Sequence, residues 1–134
     1  MRFATTRRPS ERTVVAPDGS DVRVLLGLTG GGMAEFELAP GRVSAAITHR
    51  TVDEIWYVLS GRGEMWRRQD ARDEIVALEP GVCLTIPQGT HFQFRALGDT
   101  PLRVLGVTMP PWPGANEAIA VTGLWTPTAP ALSP

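Results

Sequence analysis

Short segments in which apolar and polar residues alternate run along most of the chain, separated by turns rich in glycine and proline. Residues 34–38 (Ala-Glu-Phe-Glu-Leu) alternate apolar and acidic side chains, which is the period-two pattern of a half-buried β-strand. The 14 glycines and 12 prolines are spread between such segments and leave no room for a long helix. Roughly nine or ten short strands at regular spacing predict an all-β sandwich or barrel.

The pattern changes at Pro110, where the sequence Pro-Pro-Trp-Pro-Gly begins. Consecutive prolines favour an extended chain and exclude a central strand. We therefore predict a single domain over residues 1–134, with a core at about 13–109 and an extended Pro-rich tail at 110–134. One helical turn is predicted at 116–120. The tail residues Trp112 and Trp125 are expected to clamp the tail across the barrel or a partner subunit, and a lid over a pocket is the alternative.

Charge and hydropathy exclude several classes of partner. Thirteen basic and fourteen acidic residues give a net charge of -1, so the basic surface of a nucleic-acid-binding protein is not expected. No stretch approaches the roughly twenty apolar residues of a membrane-spanning helix. The first ten residues contain arginines but no apolar run, which does not fit a secretory signal and favours a cytoplasmic location. The lone Cys83 stands in an apolar run and is expected in the core.

Two segments with fixed glycine spacing, 41–61 and 81–96, resemble the two cupin motifs, G-x5-H-x-H-x4-E-x6-G and G-x5-P-x-G-x2-H-x3-N. The matching residues are Gly41, His49, Glu54, Gly61, Gly81, Pro87 and Gly89. The chain resembles small single-domain bacterial cupins, and this resemblance implies a double-stranded β-helix, or jelly-roll barrel. It also implies a homodimer, often with an N-terminal strand in the partner's sheet, and residues 13–16 are the candidate strand.

The resemblance fails at part of the ligand set. In cupins, three histidines and the glutamate hold a divalent metal such as Fe, Mn, Ni, Cu or Zn. Here Ile47 and Phe92 stand at two of the histidine positions, and neither side chain has a lone pair to donate. Since only His49 and Glu54 remain, no metal is favoured.

His91 leaves one metal site open as an alternative. Together with His49 and Glu54 it would form a facial triad of two histidines and one carboxylate. Strand alternation opposes this triad, because His91 faces outward if Phe92 and Phe94 fill the barrel. A bulge near residues 89–90 would reverse that register.

The predicted pocket centres on Glu54, which the resemblance directs into the barrel beside Trp56. A buried carboxylate without a metal needs a partner, and His49 is the nearest candidate for an acid–base pair. The alternative is a purely structural Glu54, bonded to Arg50, Arg95 or a tyrosine hydroxyl. The predicted walls that contact substrate are Ile47, Trp56, Phe92 and Phe94.

These residues lead to three functional hypotheses. The first is a small-molecule-binding barrel with an incomplete metal-ligand set and the His49–Glu54 pair. The second is a metal-dependent cupin enzyme, an oxygenase or isomerase acting on a small organic acid, phenol or sugar derivative. The third is a non-catalytic sensing or structural dimer. Many unrelated activities share this architecture, so the site must decide between them.

Overall fold

The computed structural model describes residues 1–129, which form eleven β-strands and no helix, so the predicted all-β fold is confirmed. The strands are β1 (Val14–Val15), β2 (Asp21–Leu28), β3 (Gly31–Leu38), β4 (Ile47–His49), β5 (Asp53–Ser60), β6 (Arg62–Gln69), β7 (Arg72–Leu78), β8 (Cys83–Ile86), β9 (His91–Leu97), β10 (Leu102–Met109) and β11 (Ala118–Ala120). None of the described residues belongs to a helix long and apolar enough to cross a membrane.

The strands form two sheets, and neighbouring strands within each sheet run antiparallel. The six-stranded sheet has the order β1-β2-β3-β10-β5-β8, and the five-stranded sheet has the order β11-β4-β9-β6-β7. The chain passes from one sheet to the other between β5 and β6, at Gly61. This residue has φ of +81°, and an added Cβ would lie 2.2 Å from the Pro101 carbonyl oxygen. Only glycine fits this crossing.

The core lies between the inner faces of the two sheets. Strand β5 shows the alternation clearly, since Glu54, Trp56 and Val58 are buried while the residues between them are exposed. The fully buried side chains come from both sheets, as expected for a core shared by two packed layers. The largest of them are Trp56, Phe92, Phe94, Met65, Leu78, Ile86 and Leu102.

The tail differs from its prediction, because the helical turn expected at 116–120 is wrong. Residues Ala118–Ala120 instead form β11, which pairs with β4 at the edge of the five-stranded sheet. The physical reason is that an unpaired strand edge offers a row of N–H and C=O groups that an extended segment can satisfy. Residues 130–134 of the predicted tail lie outside the described part of the chain.

Beyond β11 the chain crosses the outer face of the five-stranded sheet, where the Gln93 side chain holds it by hydrogen bonds. The Gln93 amide nitrogen donates to the carbonyl oxygens of Ser44 and Trp125, each at 2.8 Å. Its amide oxygen accepts from the backbone N–H groups of Leu124 and Trp125, each at 2.9 Å. The Trp125 ring also lies 4.3 Å from the Arg95 guanidinium carbon. Gln93 and Arg95 therefore hold the tail against this sheet at Trp125.

Two further predictions concern the edge strands β8 and β1 of the six-stranded sheet. Cys83 is exposed, so its predicted place in the core is wrong. The cause is strand alternation, which directs Leu84 and Ile86 of β8 inward and Cys83 outward. At the other edge of the same sheet lies β1, which belongs to the segment 13–16 expected to enter a partner's sheet. It pairs with β2 of its own chain, with Val14 opposite Val22.

Candidate functional site

A cavity of about 570 Å³ opens between the two sheets, and its walls are mainly apolar. Strands β2, β3, β5 and β10 form one side, and the tail segment 111–115 closes another. The aromatic and aliphatic walls include Phe36, Ile47, Trp56, Phe92 and Trp112. The polar side chains that reach the cavity are Asp18, His49, Glu54 and Thr108. A large apolar cavity with a few convergent polar groups is the usual form of a small-molecule site.

Glu54 reaches the cavity because β5 directs every second residue inward. It lies opposite Thr108 of β10 and Ile86 of β8. The neighbouring position on β10 is Gly106, where an added Cβ would lie 3.1 Å from the Glu54 Oε2 and 2.5 Å from the Phe36 ring. The missing side chain of Gly106 therefore provides the space that these two groups occupy.

Glu54 is buried, with 4% exposure, and within residues 1–129 the one basic side chain near its carboxyl group is His49. The Trp56 indole N–H donates a hydrogen bond to its Oε2. Burial raises the pKa of Glu54 to about 8, although the Trp56 hydrogen bond lowers it and the charge of Asp18 raises it further. The Glu54 carboxyl is therefore protonated at neutral pH. The bonding partners predicted for a structural Glu54 were an arginine or a tyrosine, and the observed partner is a tryptophan.

His49 lies beside Glu54 but makes no hydrogen bond to it. The His49 Nδ1 is 3.6 Å from the Glu54 Oε1, and this nitrogen is buried without a partner among the described residues. The ring packs edge-on against Phe92 and Trp112, each with a centroid distance of 5.2 Å. Burial lowers the pKa of His49 to about 4, against the opposing charge of Glu117. A neutral imidazole thus faces a neutral carboxyl group.

The tail holds this arrangement in place through Glu117. Its carboxylate accepts hydrogen bonds from the Thr51 backbone N–H, at 2.7 Å, and from the Thr51 hydroxyl. Burial disfavours the charge of Glu117, but these hydrogen bonds outweigh it and keep the pKa of the carboxyl below its usual value. The anchor fixes the segment that carries Trp112 across His49.

The structure brings most of the predicted site residues together. Ile47, Trp56 and Phe92 line the same cavity as His49 and Glu54. Phe94 lies behind Trp56, with ring centroids 4.9 Å apart, and is not part of the cavity wall. His91 occupies the opposite face of β9 from Phe92, opposite Thr48 and Arg68 on the neighbouring strands, and it does not line the cavity.

The donor set of the cavity does not fit the metal centre that the resemblance implies. Within residues 1–129, no three His, Cys, Asp or Glu side chains lie where they could hold one metal ion together. Ile47 and Phe92 are buried against His49 and Glu54 without offering a donor atom. No chemical step is therefore derived through a metal.

Among the cavity residues that were not predicted from the sequence are Asp18, Phe36 and Trp112. The alternation of β3 already places Phe36 on the same face as Ala34 and Leu38, so that signal was available. No sequence pattern indicated a role for Asp18 in a site, and Trp112 was expected to act as a clamp, with a lid over a pocket as the alternative. Their positions depend on how distant segments fold over the barrel.

The sequence profile of the family described as "Cupin domain" matches residues 34–108, which is more than half of the chain. This chain belongs to the cupin family. A curated relative of this cupin is the uncharacterized protein MJ1618 of Methanocaldococcus jannaschii, which is 28% identical over 117 residues, covering 84% of this chain and 90% of the relative.

Solved structures with the same fold include KdgF from Halomonas sp., with a TM-score of 0.66 and 20% identity over 80% of this chain and 94% of that chain. A double-stranded β-helix protein from Klebsiella pneumoniae has a TM-score of 0.64 and 18% identity, over 81% and 89% of the two chains. Oxalate decarboxylase from Bacillus subtilis, an enzyme with Mn(II) centres, has a TM-score of 0.67 and 16% identity. That match covers 80% of this chain and 29% of the oxalate decarboxylase chain. At these identities the likeness shows the double-stranded β-helix fold alone.

Proposed function

We propose that this cupin binds a small, mainly apolar molecule and holds its one polar group between His49 and Glu54. The observation that carries the proposal is the His49 Nδ1, which is buried 3.6 Å from the Glu54 Oε1 and finds no hydrogen-bond partner in the described part of the chain. A buried polar atom without a hydrogen bond costs about 1–3 kcal/mol. A ligand that supplies the missing partner recovers this cost.

The chemistry of the pair suits a polar group that bridges Glu54 and His49, and a hydroxyl group is the simplest probe of it. The protonated Glu54 donates one hydrogen bond, and the neutral His49 with its proton on Nε2 accepts one at Nδ1. A hydroxyl oxygen can accept from the first and donate to the second at ordinary hydrogen-bond distances of about 2.8 Å.

The same pair can also move a proton. Glu54 can give a proton to one atom of the ligand while His49 takes a proton from another atom of it, which isomerises the ligand with no net change in its protons and is the arrangement of a general acid and a general base. The pKa values of about 8 and about 4 keep each group in the required form at neutral pH. Binding is the first function to test, because proton transfer depends on it.

The test compares two probes of equal shape, 4-propylphenol and 4-propyltoluene, which differ only in hydroxyl against methyl. Isothermal titration calorimetry measures both affinities at pH 7. We expect the phenol to bind about tenfold more tightly, since its hydroxyl satisfies the two buried polar groups.

The variant His49→Phe keeps an aromatic ring between Phe92 and Trp112 but removes the unpaired nitrogen. It should bind the two probes with similar affinity. The matched control is His91→Phe, which changes the histidine on the outer face and should keep the preference for the phenol. Equal binding of the two probes by the unaltered protein, or no binding of either, would overturn the proposal.

A further inference from the structure

A second carboxyl group reaches the cavity from outside the pair described above. Asp18 lies in the turn between β1 and β2, is 4% exposed and contributes to the cavity wall. Its Oδ1 accepts from the Ser20 backbone N–H at 2.9 Å and from the Ser20 hydroxyl at 2.7 Å. This Asx turn supplies the hydrogen-bond partners of one carboxyl oxygen of Asp18, Oδ1. The hydrogen bonds found within residues 1–129 do not engage the other oxygen.

Among the described residues that line the cavity, the one basic side chain is His49, and burial keeps its imidazole neutral. The thirteen arginines of the chain all lie elsewhere, so no cation balances the two carboxyl groups. Burial raises the pKa of Asp18 above its usual value, and the charge of Asp18 contributes to the raised pKa of Glu54. The two carboxyls therefore interact across a largely apolar space without a counterion.

Two independent features of the same cavity point to a ligand. His49 is 3% exposed and its Nδ1 has no partner among the described residues. The rings of Phe36, Trp56 and Trp112 border the same space. Aromatic faces attract cations, and cages of aromatic and acidic side chains are a recurrent way to bind organic ammonium groups.

We propose that the ligand is an organic cation, an apolar molecule with a protonated amine, and that Asp18 selects it by pairing with its positive charge alongside Glu54. This inference rests on the proposed binding function and names its ligand class. Organic acids are disfavoured, because a carboxylate in this cavity would meet two carboxyl groups and no arginine. A bound ammonium group would instead ionise the carboxyls and pair with them in a site of low dielectric.

The experiment uses three probes of similar size, 3-phenylpropylamine, 3-phenylpropan-1-ol and 3-phenylpropanoate, which are cationic, neutral and anionic at pH 7. Titration calorimetry on the full chain measures each affinity. We expect the amine to bind at least about tenfold more tightly than the alcohol, and the acid to bind most weakly.

The variant Asp18→Asn keeps the Asx turn, because the asparagine oxygen can still accept from Ser20, but it removes the charge. It should weaken the amine about tenfold and leave the alcohol within twofold. The matched control Asp70→Asn, in the exposed turn between β6 and β7, should change neither affinity.

Each outcome separates this inference from the function on which it rests. If the alcohol binds and the amine binds no more tightly, the ligand class is wrong while the binding function stands. If Asp18→Asn weakens all three probes equally, Asp18 supports the fold and does not select the ligand, which also overturns the inference. If none of the three probes binds, both proposals fail.

Discussion

The raised pKa of Glu54 makes the stability of this protein depend on pH in a way that one substitution removes. Glu54 has a pKa of about 8 in the folded state against 4.5 for an unperturbed glutamate. Between these values the folded state holds a proton that the unfolded state has lost, so stability falls as pH rises. Glu54→Gln keeps the size of the side chain and an oxygen to accept the Trp56 indole hydrogen bond, but it cannot ionise.

The expected magnitude follows from the width of this window. Each pH unit in which only the folded state holds the proton costs about 1.4 kcal/mol. From pH 5 to pH 9 the Glu54 contribution to the free energy of unfolding should therefore fall by about 4 kcal/mol. His49 acts in the opposite direction, because its pKa of about 4 against 6.5 makes stability rise between those two pH values and then level off. This histidine contribution is present in both proteins and cancels in their difference.

Urea unfolding followed by tryptophan fluorescence, at pH 5, 6, 7, 8 and 9, measures both free energies. The stability of Glu54→Gln relative to the unaltered protein should increase by about 4 kcal/mol across this range, with most of the change complete by pH 8. Glu79→Gln, at an exposed position, is the matched control and should follow the unaltered protein at every pH. Parallel curves for Glu54→Gln and the unaltered protein would refute the reasoning, because they would mean that Glu54 titrates normally.

Two substitutions test the parts of the fold that shape the cavity and hold the tail. Gln93→Leu should destabilise the protein by about 2–4 kcal/mol in urea unfolding, since it leaves the tail groups of Leu124 and Trp125 unpaired. The control Gln69→Leu, which removes one bond to a threonine hydroxyl, should cost less than about 1 kcal/mol, and equal losses would contradict the clamp. Gly106→Ala should cost about 1–3 kcal/mol and weaken 4-propylphenol binding, because its Cβ would lie 2.5 Å from the Phe36 ring. Gly30→Ala, with no atom within 4 Å of the added Cβ, is the control, and an unchanged Gly106→Ala protein would show that the cavity wall adapts freely.

Much of the barrel could be predicted because its strands carry their own local signals. The alternation in β3 and the glycine and proline turns define the strands. In β5 the outward residues Ile55, Tyr57 and Leu59 are apolar as well, so the inward direction of Glu54 and Trp56 follows from the resemblance to the cupin motif. The sequence did not indicate that the indole of Trp56 bonds to Glu54, since a shared face does not determine the rotamers of its side chains.

The rest depended on contacts between segments far apart in the chain. Ala118–Ala120 is a strand only because the edge of β4 lies beside it, and three residues have little preference of their own. Asp18 reaches the cavity because its turn folds over the barrel beside residues such as Glu54, which is 36 positions further along the chain. Trp112 and Trp125 have similar local sequences rich in proline, and only the folded tail distinguishes the cavity wall from the clamp.

The metal content of the purified protein is the sharpest test of our claim that the interior holds an uncompensated His49–Glu54 pair instead of a metal centre. Protein purified without chelators, together with the variants His49→Ala and Glu54→Gln, is analysed by inductively coupled plasma mass spectrometry. We expect Fe, Mn, Ni, Cu and Zn to remain far below one equivalent per chain in all three proteins. One equivalent of any of these metals in the unaltered protein, lost in both variants, would contradict the claim.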